Sequence, residues 1–303
     1  MSWPDKAWNR IEFSEETCAE VRRLYLEERL SAREVGKQVG CSLQRAMREI
    51  HEKGYAKTRK EQKYDAAVKG LGQNNGVDLD FLRSWSEGSA WVWGVWFGDG
   101  WLSTKGLHFG FSGDLSVILR IKDLIATRAK PYQAKKIKKK EQGWRLEIGS
   151  LSVAILIKEK FALSPGRKSR IIQWPEMPVG LERHFIRGLW DSDGSWCFFR
   201  DKRYPEKIYL QGCFSSMSGD IVESVSRKIS FHCGLPIKKV EQQGKKGKKD
   251  GCFVIRYAST DSRKIGNWLY SNANASDRSE RKYDRWVQLL GPERQLNRGP
   301  QPK

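Results

Sequence analysis

Two stretches decide the fold, AWVWGVWFGDGWLS at 90–103 and HFIRGLWDSDGSWCFF at 184–199. Each runs from an apolar helical segment through a glycine, three residues, a small residue, Asp and Gly into a strand-like run. Gly94 and Gly98 are four residues apart, as are Gly188 and Ser192, so each pair shares one helix face. Small residues at that spacing let two helix backbones approach closer than the usual separation of about 8–10 Å. The bulky neighbours Val92, Val95 and Trp96, and Ile186, Leu189 and Trp190, are expected to bury each helix in its own half. Gly94, Gly98, Gly188 and Ser192 therefore form the predicted seam between halves. Asp99 and Asp193 are predicted side by side at its end, each followed by a glycine expected to act as C-cap.

The segments downstream of each stretch repeat as well. After Gly100 come strand-like WLS and LHFGFS, a helix from Asp114, then YQAKKIKKK and WRLEIGS, and a helix SVAILIKEKFAL. After Gly194 come SWCFFR and IYLQGCFS, a helix SGDIVESVSRKI, strands KKVEQQ and CFVIRYAS, and a helix DSRKIGNWLYSN. Internal duplication of this kind sets the architecture before any single residue does. The predicted fold class is α+β: two pseudo-symmetric αββαββα halves at 81–180 and 181–290, with a small all-α module at 1–52. A basic, glycine-punctuated segment at 53–80 reads as a linker, and 291–303 as a flexible tail.

Within 1–52, Ser14 is placed to cap a first helix whose first turn carries Glu15 and Glu16, where carboxylates suit the helix dipole. Ser31 with Glu34 three residues on makes a capping box. A third helix starts at Ser42 and stops at Gly54. Two short helices joined through VGCS make the corner of a helix-turn-helix, whose second helix would offer Gln44, Arg45 and Arg48 to a DNA groove.

The balance of 56 Lys and Arg against 36 Asp and Glu leaves a formal charge of +20 on 303 residues. That excess points to a polyanionic partner, nucleic acid before membrane surface. Aromatic residues make up 11%, including 13 Trp, which excludes a disordered basic tail. No apolar run approaches the roughly 18 residues of a membrane helix. The opening MSWPDKAWNR lacks a signal peptide's apolar stretch, so an intracellular location is expected. The six cysteines form no CxxC pair and read as reduced thiols, neither a disulfide framework nor a zinc site. His51, His108, His184 and His232 show no ligand spacing and read as structural.

Two carboxylates held close repel, which raises the pKa of one unless a cation joins them. Mg²⁺ suits such a place, because it prefers carboxylates, carbonyls and phosphate oxygens, and there it supports in-line displacement at phosphorus. The expected metal site is Asp99 and Asp193 with the backbone of Gly98 and Ser192. On the strands, Trp144, Leu146 and Ile148 alternate with Arg145 and Glu147, and Phe253, Ile255 and Tyr257 with Val254 and Arg256. One face would cover helices and the other meet DNA. Expected contacts are Lys135, Lys136, Lys138, Lys140 and Arg145 in the first half, and Lys238, Lys239, Gln243 and Arg256 in the second.

WVWGVWFGDG and FIRGLWDSDG resemble the two motifs of a single-chain LAGLIDADG homing endonuclease, over about residues 85–290. The resemblance implies that the motif helices form the interface between halves. It also implies that the last acidic residue of each motif, here Asp99 and Asp193, binds the metal, and that the sheets lie over the major groove of duplex DNA. GRKSRIIQWP resembles the family's Lys-Ser/Thr segment and carries over Lys168; SERKYDRW resembles its Arg-Lys-Tyr ending and carries over Lys282. For either lysine a plain phosphate contact stays open beside a catalytic role. Trp93 and Arg187 depart from the small second residue of the motif, and Phe97 stands where the other copy has Asp191. The activity implied is Mg²⁺-dependent, site-specific double-strand cleavage of DNA by a monomer, as in intron homing. The first and last residues show no splice-junction chemistry, so a free-standing or intron-encoded protein is expected. Two other readings stay open: a maturase that binds intron RNA, and a non-catalytic DNA-binding regulator on the same scaffold.

Overall fold

The computed structural model describes residues 13–57, 61, 76–104, 108–134, 143–164, 166, 168–244, 251–271, 273 and 278–290, and it bears out the duplicated αββαββα order. The chain divides into two compact units, Met1–Leu71 and Gly72–Lys303. Among the described residues no helix is long and apolar enough to cross a membrane.

The first unit contains α1 (Glu15–Arg22), which continues into a π-helical turn Arg23–Glu27, then α2 (Ala32–Gln38) and α3 (Leu43–Glu52). The caps are the expected ones. Ser14 accepts from Thr17 N, Ser31 and Glu34 exchange both bonds of a capping box, and Ser42 accepts from Arg45 N. Val21, Leu24, Tyr25, Val35 and Ile50 make a small core. Gly40, at φ +72°, lets the chain turn between α2 and α3, a conformation that costs little only without a Cβ.

The second unit begins within the expected linker. Asp78 caps α4 (Leu79–Arg83) by accepting from Phe81 N, and Leu82 is fully buried. Half one continues as α5 (Glu87–Asp99), β1 (Gly100–Leu102), β2 (His108–Gly113), α6 (Leu115–Leu124), β3 (Tyr132–Gln133), β4 (Trp144–Gly149) and α7 (Leu151–Phe161). Half two is α8 (Glu182–Asp193), β5 (Gly194–Asp201), β6 (Tyr204–Ser216), α9 (Gly219–Cys233), β7 (Glu241–Gln243), β8 (Cys252–Ala258) and α10 (Ser259–Tyr270). A further helix, α11 (Glu280–Leu290), has no counterpart among the described residues of half one. Both sheets are antiparallel, ordered β1-β2-β4-β3 and β5-β6-β8-β7. Their registers correspond, since Gly100 pairs with Phe111 and Gly194 with Phe214. Strand periodicity then sorts side chains to two faces. Phe109, Phe111, Leu146 and Ile148 are buried beneath helices in half one, and Leu210, Phe214, Ile255 and Tyr257 in half two.

Among the described residues the two motif helices form the most extensive helix–helix contact, and one continuous core runs across both halves. Both helices are buried nearly all round, as suits a helix between two layers. Gly94 and Gly188 face each other across the seam. A Cβ on Gly94 would collide with the carbonyl oxygen of Phe185 and lie 3.0 Å from Gly188 Cα. A Cβ on Gly188 would collide with the carbonyl oxygen of Trp91 and lie 2.8 Å from Val95 N. Gly100 and Gly194 are the C-caps, donating to Trp96 O and Trp190 O, but not in the left-handed conformation. Their backbones are extended, with φ −83° and −77°. They are glycines because a Cβ would run into the indole of Trp96 and the indole of Trp190.

The large residues at the second motif position turn away from the seam. Trp93 Nε1 donates to Leu82 O at 3.0 Å, and Arg187, fully buried, donates to Leu269 O at 3.2 Å. Each thus ties its motif helix to a carbonyl of its own half.

Gly188→Val is expected to lower unfolding free energy by at least about 3 kcal/mol, because backbone on both sides leaves the new atoms nowhere to go. Gly219→Ala, where the Cβ would meet the Phe253 ring at an ordinary 3.4 Å, should stay within about 1 kcal/mol of wild type. Urea unfolding followed by tryptophan fluorescence checks both; equal stability of the two variants would refute the seam.

Candidate active site

The seam ends at two carboxylates. Asp193 Oδ2 lies over Gly98, 3.1 Å from where a Cβ on that glycine would stand. Ser192 also packs on Gly98, and its hydroxyl turns back to donate to Gly188 O at 3.0 Å and Leu189 O at 3.1 Å. The backbone carbonyl of Ser192 faces Lys282 at the site. Both aspartates have raised pKa values. Burial is the main cause at Asp99, and burial together with repulsion from Asp99 pushes Asp193 up to about 6. The pair is thus held at an electrostatic cost that a cation would offset.

Two lysines reach the same place from elements far apart in sequence. Lys168, on the connection between halves, donates through Nζ to Phe97 O at 2.6 Å and sits 4.9 Å from the Trp96 ring centroid. Lys282, in the first turn of α11, donates to Gly194 O and makes a 3.4 Å contact with Ser192 O. Each ammonium is therefore seated on the carbonyl end of one motif helix, where a cation suits the dipole. Both are buried, at 7% and 8% exposure. Burial pushes Lys168 down to about 8 and lowers Lys282 as well, against the attraction of the aspartates.

Asp99 and Asp193 supply two hard oxygen donors, and the carbonyls of Gly98 and Ser192 adjoin them. Those carbonyls accept only long contacts from the lysines, 3.5 Å for Gly98 and 3.4 Å for Ser192, which leaves lone pairs for a metal. Among the described residues no group of three or more His, Cys, Asp or Glu could hold a metal ion. A two-carboxylate site fits Mg²⁺, which keeps water and takes substrate phosphate oxygens instead of filling a closed protein cage.

Sequence reasoning missed the neighbours of this centre. Asp114 and Arg281 pair at 2.8 Å and both act electrostatically on Asp99. With Ser116, Ser195, Lys282 and Arg285 they line an open groove of about 780 Å³. Asp114 and Arg281 are 167 residues apart, and no local signal pairs them. Asp191 is buried and accepts from Trp91 Nε1 and from Ser279 N, each at 2.9 Å. Its place in the motif was visible, but its partners were not. Burial pushes this carboxyl up to about 6.

The expected DNA contacts separate into groups. Arg145 is exposed, across from Ser112 and Tyr132 on the sheet face opposite the helices. Gln243 and Lys239 are exposed. Arg256 lies opposite Cys213, half-buried, with its guanidinium on Glu241. Lys238 is a correction: its ammonium binds Asp261 of α10 at 2.9 Å and sits 5.7 Å from the Tyr257 ring, on the helical side of the sheet. Lys135, Lys136, Lys138 and Lys140 lie outside the described residues. In the first unit Gln44 and Arg48 are exposed on α3, with Met47 and His51 on the same face. Arg45 is a second correction. It turns inward, pairs with buried Glu49 at 3.3 Å and lies 4.2 Å from the Phe13 ring, so it holds the helix instead of reading a groove.

No protein-family model matches the chain, and no curated protein matches it. Solved structures with a similar fold include the LAGLIDADG homing endonuclease I-LtrWI bound to target DNA, at TM-score 0.44 and 10% identity over 70% of this chain and 90% of that one. The LAGLIDADG homing endonuclease I-GzeII in complex with its DNA target scores 0.43 at 10% identity, over 68% of this chain and 89% of that one. Full-length DUF199/WhiA from Thermatoga maritima scores 0.39 at 15% identity, over 69% of this chain and 63% of that one. The likeness concerns fold alone.

Arg45→Ala is expected to destabilise the first unit by about 2–3 kcal/mol, since it strands a buried carboxylate. Gln44→Ala and Arg48→Ala should stay within about 0.5 kcal/mol as surface changes. Amide exchange of α3 in the full chain reads this directly. Equal protection in all three variants would mean that the inward ion pair does not hold α3.

Proposed function

We propose that this protein is a divalent-metal-dependent endonuclease that cuts both strands of duplex DNA at a specific site. The observation that carries the reading is the pairing of Asp99 with Asp193 at the end of the seam, with a buried lysine seated at the end of each motif helix. A scaffold alone has no need of four opposed charges, partly desolvated, at the meeting point of its halves. Duplication suits the substrate, because two equivalent centres match two antiparallel strands.

A bound divalent cation supplies charge stabilisation at phosphorus and an acidified water. Asp99 and Asp193 would hold it, with the carbonyls of Gly98 and Ser192. Lys168 and Lys282, fixed by carbonyls and with lowered pKa values, are placed to stabilise charge developing on the scissile phosphates. Arg145, Gln243 and Arg256 on the sheets would meet base edges, and Lys239 the phosphates. In the first unit, Gln44 and Arg48 on α3 would enter a groove and extend the footprint. A second tethered module raises effective concentration without adding chemistry.

Incubating a randomised duplex library with the protein in Mg²⁺ and in EDTA tests the reading. Site-specific cutting is expected only with Mg²⁺, while Ca²⁺ should support binding without turnover. Asp99→Asn and Asp193→Asn should each lower double-strand cleavage by at least about 100-fold and leave binding within a few-fold of wild type. Log affinity should fall with log salt at a slope of roughly −0.9 per phosphate neutralised. Full cleavage by both variants would sink the assignment. A preference for structured intron RNA over duplex, with no cutting of any DNA, would replace it with the RNA-binding reading.

A further inference from the structure

We infer that Asp191 is a positioning residue whose hydrogen bonds tether α11 and thereby place the Lys282 ammonium at the second active centre. The inference rests on the proposed function only for its consequence on strand cutting; the tether stands on contacts within the chain. Asp191 Oδ2 accepts from Ser279 N at 2.9 Å and from Trp91 Nε1 at 2.9 Å, and the Tyr270 hydroxyl lies 3.5 Å from Oδ1. Ser279 is fully buried just before α11, and its hydroxyl accepts from Lys282 N at 3.4 Å. Lys282 then returns to the chain beside Asp193, at Ser192 O and Gly194 O. Residues 191–194 and 279–282 are thus joined at both ends, with Asp193 between the attachments. The Trp91 bond crosses the seam, so the tether is referenced to the motif helix of the other half.

Half one lacks this device. At the equivalent position Phe97 packs on Phe161 and Phe185, with ring centroids 5.0 and 5.1 Å apart. Lys168 enters from the connection between halves, and Phe97 contributes only its backbone carbonyl. Loss of the Asp191 side chain should therefore release one lysine and spare the other. Asparagine keeps an acceptor for the N–H groups of Ser279 and Trp91, whereas alanine leaves both buried and unpaired.

The test is competitive acetylation of lysines in the full-length protein, read peptide by peptide by mass spectrometry. In Asp191→Ala, Lys282 should label at least about 5-fold faster than in wild type, with Lys168 within about 2-fold, because only the local opening around α11 changes. Asp191→Asn should match wild type at both lysines. Unchanged labelling of Lys282 in folded Asp191→Ala would overturn the inference, as would equal release in Asp191→Asn. Should the alanine variant not fold, the Ser279 amide of the wild type decides: its exchange should be slowed at least about 100-fold by the buried acceptor, and exchange at the free rate would refute the tether. In cleavage, Asp191→Ala should accumulate nicked product, with one strand slowed at least about 10-fold and the other less than about 3-fold. Lys282→Ala should slow the same strand. Equal slowing of both strands counts against the tether; no cutting by the wild type counts against the proposed function alone, since labelling judges the tether without it.

Discussion

Backbone-to-backbone contact at Gly94 and Gly188 is the constraint on which the rest of the second unit depends. A carbonyl oxygen occupies the space where each Cβ would be. Only at that separation can one apolar core run through both halves, with the motif helices as its centre. The same closeness brings Asp193 over Gly98 and sets the two carboxylates against each other. Packing thus creates the electrostatic problem that the candidate site is built around.

The charges at the end of the seam are balanced by groups delivered from opposite directions. Lys168 comes from the connection between halves and Lys282 from α11, a helix without a counterpart among the described residues of half one. Their ammoniums end at the same end of each motif helix, on different carbonyls and by different routes, because any cation seated there gains from the helix dipole and the paired aspartates together. The duplication is therefore one of geometry more than of sequence. Asp191 and Phe97 show the difference: one position is a buried acceptor in one copy and an aromatic packing residue in the other.

Much of this was legible in the chain. The repeated small-xxx-small-Asp-Gly pattern, the strand alternation and the serine caps are local signals, and each became the element its spacing predicted. Asp99, Asp193, Lys168 and Lys282 stand out through their motifs and do converge. Local signals failed where a side chain chose between solvent and a partner distant in sequence. Arg45 looked like a groove-reading residue because it sits on the second helix of a helix-turn-helix pattern, but Glu49 and Phe13 turn it inward. Lys238 looked like a DNA-facing cation until Asp261 of α10 claimed it.

The amino-acid sequence by itself determined the order of elements, the duplication and the identity of the seam, since period and residue size act over a few neighbours in the chain. Tertiary structure alone decided that Gly100 and Gly194, besides capping, make room for indoles, because the indole position depends on how the helix meets its sheet. It alone also decided that Asp114 and Arg281 flank Asp99, and that Asp191 holds Ser279. Those pairs lie 167 and 88 residues apart. Hydrogen bonds and charges act through space over a few ångströms, and which groups come that close is settled only when the helices have packed.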